Sequence, residues 1–153
     1  MTGRLEEILE GKKNRQEAGR ALGADERDAW VRSVSALLDT IETWLKPLAG
    51  KGYLRINRRT GAVREEAFGD YNIERLTIEF VDGQIVEVQP VGRYVLGADG
   101  RLDLKAGLHT TMIVRRGMDK WELAEREGRG KPKTWPLTRE TFEELLAGIV
   151  EEA

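Results

Sequence analysis

Between Leu76 and Val88 the chain reads Leu-Thr-Ile-Glu-Phe-Val-Asp-Gly-Gln-Ile-Val-Glu-Val, with apolar residues at even positions in both arms: Leu76, Ile78, Phe80, then Val86 and Val88. Side chains of a strand alternate between its two faces, so each arm has one apolar face. A two-residue Asp82-Gly83 turn would set Ile78 against Glu87 and mismatch those faces. A three-residue loop, Val81-Asp82-Gly83, sets Ile78 against Val86 and Leu76 against Val88. It also gives Gly83 the left-handed position that such a loop requires. The alternation therefore specifies a register as well as a strand pair.

The same device recurs downstream. Pro90-Val91-Gly92 sets Val88 opposite Tyr94, with proline's fixed φ suited to the turn. Ala98-Asp99-Gly100 pairs Leu96 with Leu102 and Tyr94 with Leu104, and Lys105-Ala106-Gly107 sets Leu104 opposite Leu108. Gly117-Met118 fits a two-residue turn that pairs Val114 with Trp121, Met112 with Leu123 and Arg116 with Asp119. The expected result is a six-stranded antiparallel meander from Ile73 to Glu125. One face carries Leu76, Ile78, Phe80, Val86, Val88 and Tyr94, then Leu96, Leu102, Leu104, Leu108, Met112, Val114, Trp121 and Leu123. The opposite face is polar, as in a sheet covered on one side.

Two segments can supply the cover. Residues 25–49 place Trp30, Val31, Val34, Leu37, Leu38, Ile41, Trp44, Leu45 and Leu48 at three- and four-residue steps, with Asp25 as the expected N-cap. Such a helix is ~36 Å long and spans six strands, ~24 Å across. The stripe would also suit a coiled-coil seam, but the meander needs a lid. Residues 138–150 form a second helix, capped by Thr138, with Phe142, Leu145, Leu146, Ile149 and Val150 on its apolar side. Gly11 and Gly19 weaken a helix over residues 4–22, so residues 1–24 are expected to be an arm or short helix preceding a single domain at 25–153. Residues 53–68 suggest a further hairpin about Arg59-Thr60-Gly61, although their alternation settles on no one register. The fold class is α+β: six to eight antiparallel strands, curling to a half-barrel if strongly twisted, with both helices on the apolar face. This order resembles that of pleckstrin-homology-like barrels.

The 153 residues suit one domain with a core of its own. The absence of cysteine excludes disulfides and thiolate metal sites, and a single histidine excludes a histidine-rich one. A formal net charge of −2 gives no overall attraction to nucleic acid. No apolar run approaches the ~20 residues of a membrane span, and the first residues lack the layout of a signal peptide. A cytoplasmic protein without membrane partners, cofactor or metal is expected. Charge is segregated along the chain. Lys51 to Arg64 holds five bases and no acid, whereas Glu65 to Gly92 holds seven acids and one base.

Three groups of residues bear on function. Asp103 is expected opposite His109 on the polar face, where a carboxylate would orient an imidazole as in a general-base pair. Asp103-Leu104-Lys105 is similar to the carboxylate-x-Lys strand of restriction-type nucleases, with no upstream acid to complete a metal site. The tract Arg129-Gly130-Lys131-Pro132-Lys133 resembles the AT-hook, with Lys131 where that family has arginine. The resemblance implies DNA contact through Arg126, Arg129, Lys131 and Lys133 in an A·T-rich minor groove, with Trp135 adding a stacking surface. No nucleophile or metal cluster converges, so an interaction module is the expected function. Its partner would be another protein or a second copy docking the N-terminal arm. Nucleic-acid association through 126–133 is the alternative, and a hydrolase about Asp103 and His109 comes third.

Overall fold

The computed structural model describes residues 3–65, 68–93, 99–117, 120–126 and 128–152, and the side chains of these except at 15–22. Among them lie two helices, α1 (Arg4–Gly50) and α2 (Arg139–Glu151). Seven strands stand between: β1 (Leu54–Glu65), β2 (Gly69–Phe80), β3 (Ile85–Gly92), β4 (Arg101–Ala106), β5 (His109–Arg116), β6 (Lys120–Glu125) and β7 (Lys133–Pro136). The strands form one sheet in chain order, antiparallel throughout. The fold is thus an α+β meander between a long N-terminal helix and a C-terminal helix.

The register at the first-considered hairpin is the one that the alternation selects, with Ile78 opposite Val86 and Leu76 opposite Val88. Gly83 has φ +91, and Phe80 N donates to Gln84 O across the three-residue loop at 2.8 Å. The core is continuous between sheet and helices. Trp30, Val34, Leu38, Ile41 and Leu45 of α1 are fully buried together with Leu76, Ile78, Val86, Val88, Leu102 and Leu104. Burying one such side chain contributes about 1.5–3 kcal/mol. Phe142 and Leu146 bring α2 to the same core, where Phe142 meets Trp44 at 5.8 Å between ring centroids.

Helix α1 begins well before Asp25, which lies inside it rather than at its cap. Gly11 and Gly19 each cost about 1 kcal/mol, but the Leu, Glu, Lys, Arg and Ala around them are strong helix formers. The helix ends after Pro47, with Gly52 at φ +77 turning the chain into β1.

The hairpin expected about Arg59-Thr60-Gly61 is instead a straight part of β1, and the turn falls between Glu65 and Gly69. Gly61 serves a close approach, not a turn. A Cβ there would come within 2.6 Å of the Arg75 guanidinium lying across it. The unresolved alternation of this segment has a physical origin. On β2 the buried residues change from odd (Tyr71, Ile73) to even (Leu76, Ile78) with no shift in pairing to β1. The outer half of the β1–β2 ribbon therefore covers its opposite face, and it turns Glu65 toward Gly92 at the end of β3. Tyr71 Oη donates to Glu65 Oε2 at 2.6 Å there.

The strand expected around Tyr94 and Leu96 falls largely on residues 94–98, outside the described residues. The partners assigned to it are engaged elsewhere. Leu104 lies between Val88 and Thr111, and Leu102 between Pro90 and Ile113, so β3 pairs directly with β4. At the next turn Ala106 faces His109, leaving Gly107-Leu108 as a two-residue loop with Gly107 at φ +58. Leu108 is fully exposed instead of facing Leu104, and Ile113 takes the core position. This shift of face, expected at the last hairpin, thus occurs one hairpin earlier. Its consequence is that Trp121 pairs with Arg115, Leu123 with Ile113 and Arg116 with Lys120. Trp121 and Leu123 keep their inward positions, whereas Met112 does not face the core.

Arg58 fastens the sheet to α1. Its guanidinium donates to Asp39 Oδ1 at 2.5 Å, to Ser35 O and Oγ at 3.0 and 2.8 Å, and to Glu74. Burial pulls its pKa down, but hydrogen bonds to Asp39 and Glu74 and their charges raise it by more, so the cation is held firmly.

Candidate functional site: an acid-rimmed apolar cleft

A concavity lies where the C-terminal half of α1, the β2–β3 loop and α2 meet. It has a volume of about 700 Å³. Its walls are Leu45 and Leu48 of α1, Leu54 and Phe80 of the sheet, and Leu146 and Val150 of α2. Tyr53 and Val81 stand at its mouth, 53 % and 79 % exposed. Asp82, Glu140, Glu143 and Glu144 line the same cleft.

Local chemistry fixes the position of α2 against this cleft. Thr138 Oγ1 accepts from Thr141 N at 3.1 Å and Thr141 Oγ1 accepts from Thr138 N at 2.8 Å, a reciprocal cap. Gln84 Nε2 donates to Val150 O at 3.2 Å, tying the other end of α2 to the β2–β3 loop. The Gln84 side chain and then its backbone N–H donate to Asp82, at 2.5 and 3.1 Å, and hold that carboxyl below its ordinary value. Glu143 is paired with Arg139 at 3.3 Å. An apolar floor beneath carboxylates suits a ligand with apolar side chains and positive charge.

The sequence-derived pair of Asp103 and His109 is not formed. Asp103 lies opposite Met112 and is buried against Arg101, which donates to its two oxygens at 2.8 and 3.0 Å. His109 Nε2 instead lies 3.0 Å from Thr111 Oγ1 and 3.5 Å from Glu125 Oε1, and Thr111 Oγ1 donates to Glu125 at 3.0 Å. Both neighbours use the same ring nitrogen and Thr111 is fully buried, so hydroxyl, imidazole and carboxylate do not line up as a relay. Lys105 points to solvent while Asp103 is buried, so the carboxylate-x-Lys likeness ends at sequence. Among the described residues no three His, Cys, Asp or Glu side chains are placed to hold a metal.

Arg126, Arg129, Lys131 and Lys133 are all exposed on the β6–β7 hairpin. Lys133 begins β7 opposite Glu125, and Arg129 sits in the turn beside Gly128 at φ +70. Trp135, expected as a stacking surface, packs partly against the core. No single sequence motif contains the cleft residues. They come from three stretches, 45–54, 80–82 and 140–150, and only the packing of α2 brings them together. Compared with protein-family models, curated proteins and solved structures, the chain matches none.

Proposed function

We propose that this chain is an interaction module of the cytoplasm that receives a basic, apolar peptide segment of a partner protein in the cleft between α2 and the β2–β3 loop. One observation carries this reading: an apolar cleft of about 700 Å³ rimmed by Asp82, Glu140, Glu143 and Glu144. Apolar side chains of the segment would fill the space between Leu48, Phe80 and Val150, and its Lys or Arg residues would meet the rim. The test is fluorescence anisotropy with a labelled Leu/Lys amphipathic peptide and a Leu/Glu peptide of the same pattern. Saturable binding of the first alone is expected, at least tenfold weaker in Glu140→Lys/Glu144→Lys and lost when Ala147→Trp fills the cleft. Equal binding to all three proteins would remove the cleft from consideration.

A second reading rests on the four cations of the β6–β7 hairpin, which would meet phosphates of A·T-rich duplex DNA. Binding should then weaken with salt and fall in Arg129→Ala/Lys131→Ala. Absence of salt-dependent binding by the unaltered protein rejects it.

A further inference from the structure

The two edges of the sheet differ. β7 is four residues long and carries Lys133 and Pro136, features that discourage a further strand. β1 is twelve residues long and holds no proline. Its backbone can be followed group by group. Val81 N donates to Tyr53 O at 2.9 Å, and the β1–β2 register runs on from there without a shift. Odd residues of β1 therefore turn N–H and C=O toward β2, and Ile56, Arg58, Thr60 and Ala62 turn theirs outward. Among the described residues, no hydrogen bond beyond the β1–β2 ladder reaches those outward groups. Thr60 and Ala62 are exposed, and a groove of about 510 Å³ lies between Ile56 and residues 39–49 of α1. It shares no lining residue with the acid-rimmed cleft.

Charge selects the strand that fits this edge. Arg55, Arg59, Arg75 and Glu79 share the sheet face turned away from α1. Glu79 is bonded to Arg55 at 2.8 Å, and Glu87, next on that face, accepts from Gln89. Arg64, near the hairpin turn, is paired with Asp70 at 3.9 Å. Arg59 stands directly opposite Arg75, and among the described residues neither has a carboxylate partner. The Arg75 guanidinium lies over Gly61 with its Nε enclosed and unbonded, so a partly desolvated cation faces a like charge. On the α1 side, Asp39, Glu42 and Glu74 gather about Arg58, and Lys46 adds a second cation. Thr43, Ala49 and Ile56 make the rest of that groove uncharged. The complementary strand carries carboxylates on the side of Arg59 and Arg75, and apolar side chains on the side of Ile56. A second β1 is a poor match. It brings Arg55, Arg58, Arg59 and Arg64 with one acid, Glu65, which already accepts from Tyr71.

We infer that β1 accepts an acidic extended segment of a partner protein as a further strand, backbone to backbone along residues 56–62, with its carboxylates on Arg59 and Arg75. The probe is a labelled peptide of alternating Glu and Val, read by fluorescence anisotropy beside a Lys/Val peptide and a Glu/Val peptide N-methylated at each Val. Only the first should bind saturably. Arg59→Glu should weaken it about tenfold or more, by reversing one of the two charges. Thr60→Pro should do likewise, because it removes an outward N–H and leaves the β1–β2 ladder whole. Both positions are exposed, so circular dichroism should show an unchanged fold in each variant. Ala147→Trp, which fills the cleft, should bind the peptide as the unaltered protein does. Absence of saturable binding overturns the inference. Binding that survives Thr60→Pro or N-methylation also overturns it, being charge attraction alone, as does binding indifferent to Arg59→Glu or lost in Ala147→Trp. So does a dimer of the unaltered protein in sedimentation equilibrium that Thr60→Pro dissolves, since a second copy would then occupy the edge.

Discussion

At the scale of single residues, the tightest constraint is Gly100. Its φ of +146 is a conformation that side chains disfavour, and a Cβ there would stand 2.3 Å from the ring of the buried Trp30. Trp30 cannot withdraw easily, because its ring lies 6.1 Å from that of Trp121 and carries the Arg115 guanidinium at 5.0 Å. Gly100→Ala should therefore cost about 3 kcal/mol or more by urea denaturation, strain and overpacking adding. Gly107→Ala meets no atom within 4 Å and should cost only about 1 kcal/mol for its left-handed backbone. Equal losses would refute the clash with Trp30. Tyr71 supplies the pH dependence. Burial, and then its hydrogen bond and proximity to Glu65, raise its pKa well above the ordinary 10.0. The neutral phenol is thus favoured in the folded chain, and its contribution is complete below pH 10.0 and lost as the pH rises beyond it. Tyr71→Phe should be less stable than the unaltered protein by about 1 kcal/mol near neutrality. The gap should narrow above about pH 10 in paired urea titrations, and a constant gap would show that Tyr71 titrates alike in both states.

At the scale of elements, legibility followed the strength of local patterning. The β2–β3 hairpin was readable because five apolar residues share one parity and Gly83 fixes the loop. Helix α2 was readable from Thr138 and its apolar stripe. The β1–β2 ribbon was not, because its buried face changes midway without a shift in pairing, and only tertiary wrapping produces that change. The β4–β5 turn was misread because two- and three-residue loops both contain Gly107, and the choice depends on which of Leu108 and Ile113 reaches the core. The cleft was invisible for a related reason: its walls are distant in sequence and joined only by packing. The β4–β5 assignment has a direct check. Leu108→Ser should change stability by no more than about 0.5 kcal/mol, as expected of an exposed loop tip. Ile113→Ala, buried between Leu102 and Leu123, should cost about 2–5 kcal/mol. The reverse ranking would restore the three-residue loop.

At the scale of the whole molecule, the question is how much of the chain makes the folding unit. Helix α1 has 47 residues and is ~70 Å long, more than the sheet needs. Among its described side chains the buried ones, Trp30 through Leu45, pack on the sheet and α2, and the exposed turns before Asn14 add no surface to that core. We propose that residues 25–153 form an independent domain from which residues 1–24 extend. The unfolding slope with denaturant follows the surface exposed on unfolding. A chain beginning at Asp25 should therefore unfold cooperatively with the slope of the full chain and a midpoint temperature within about 2 °C of it. A lower slope or a broad transition in the shortened chain would mean that residues 1–24 belong to the cooperative unit. The extension would then serve folding.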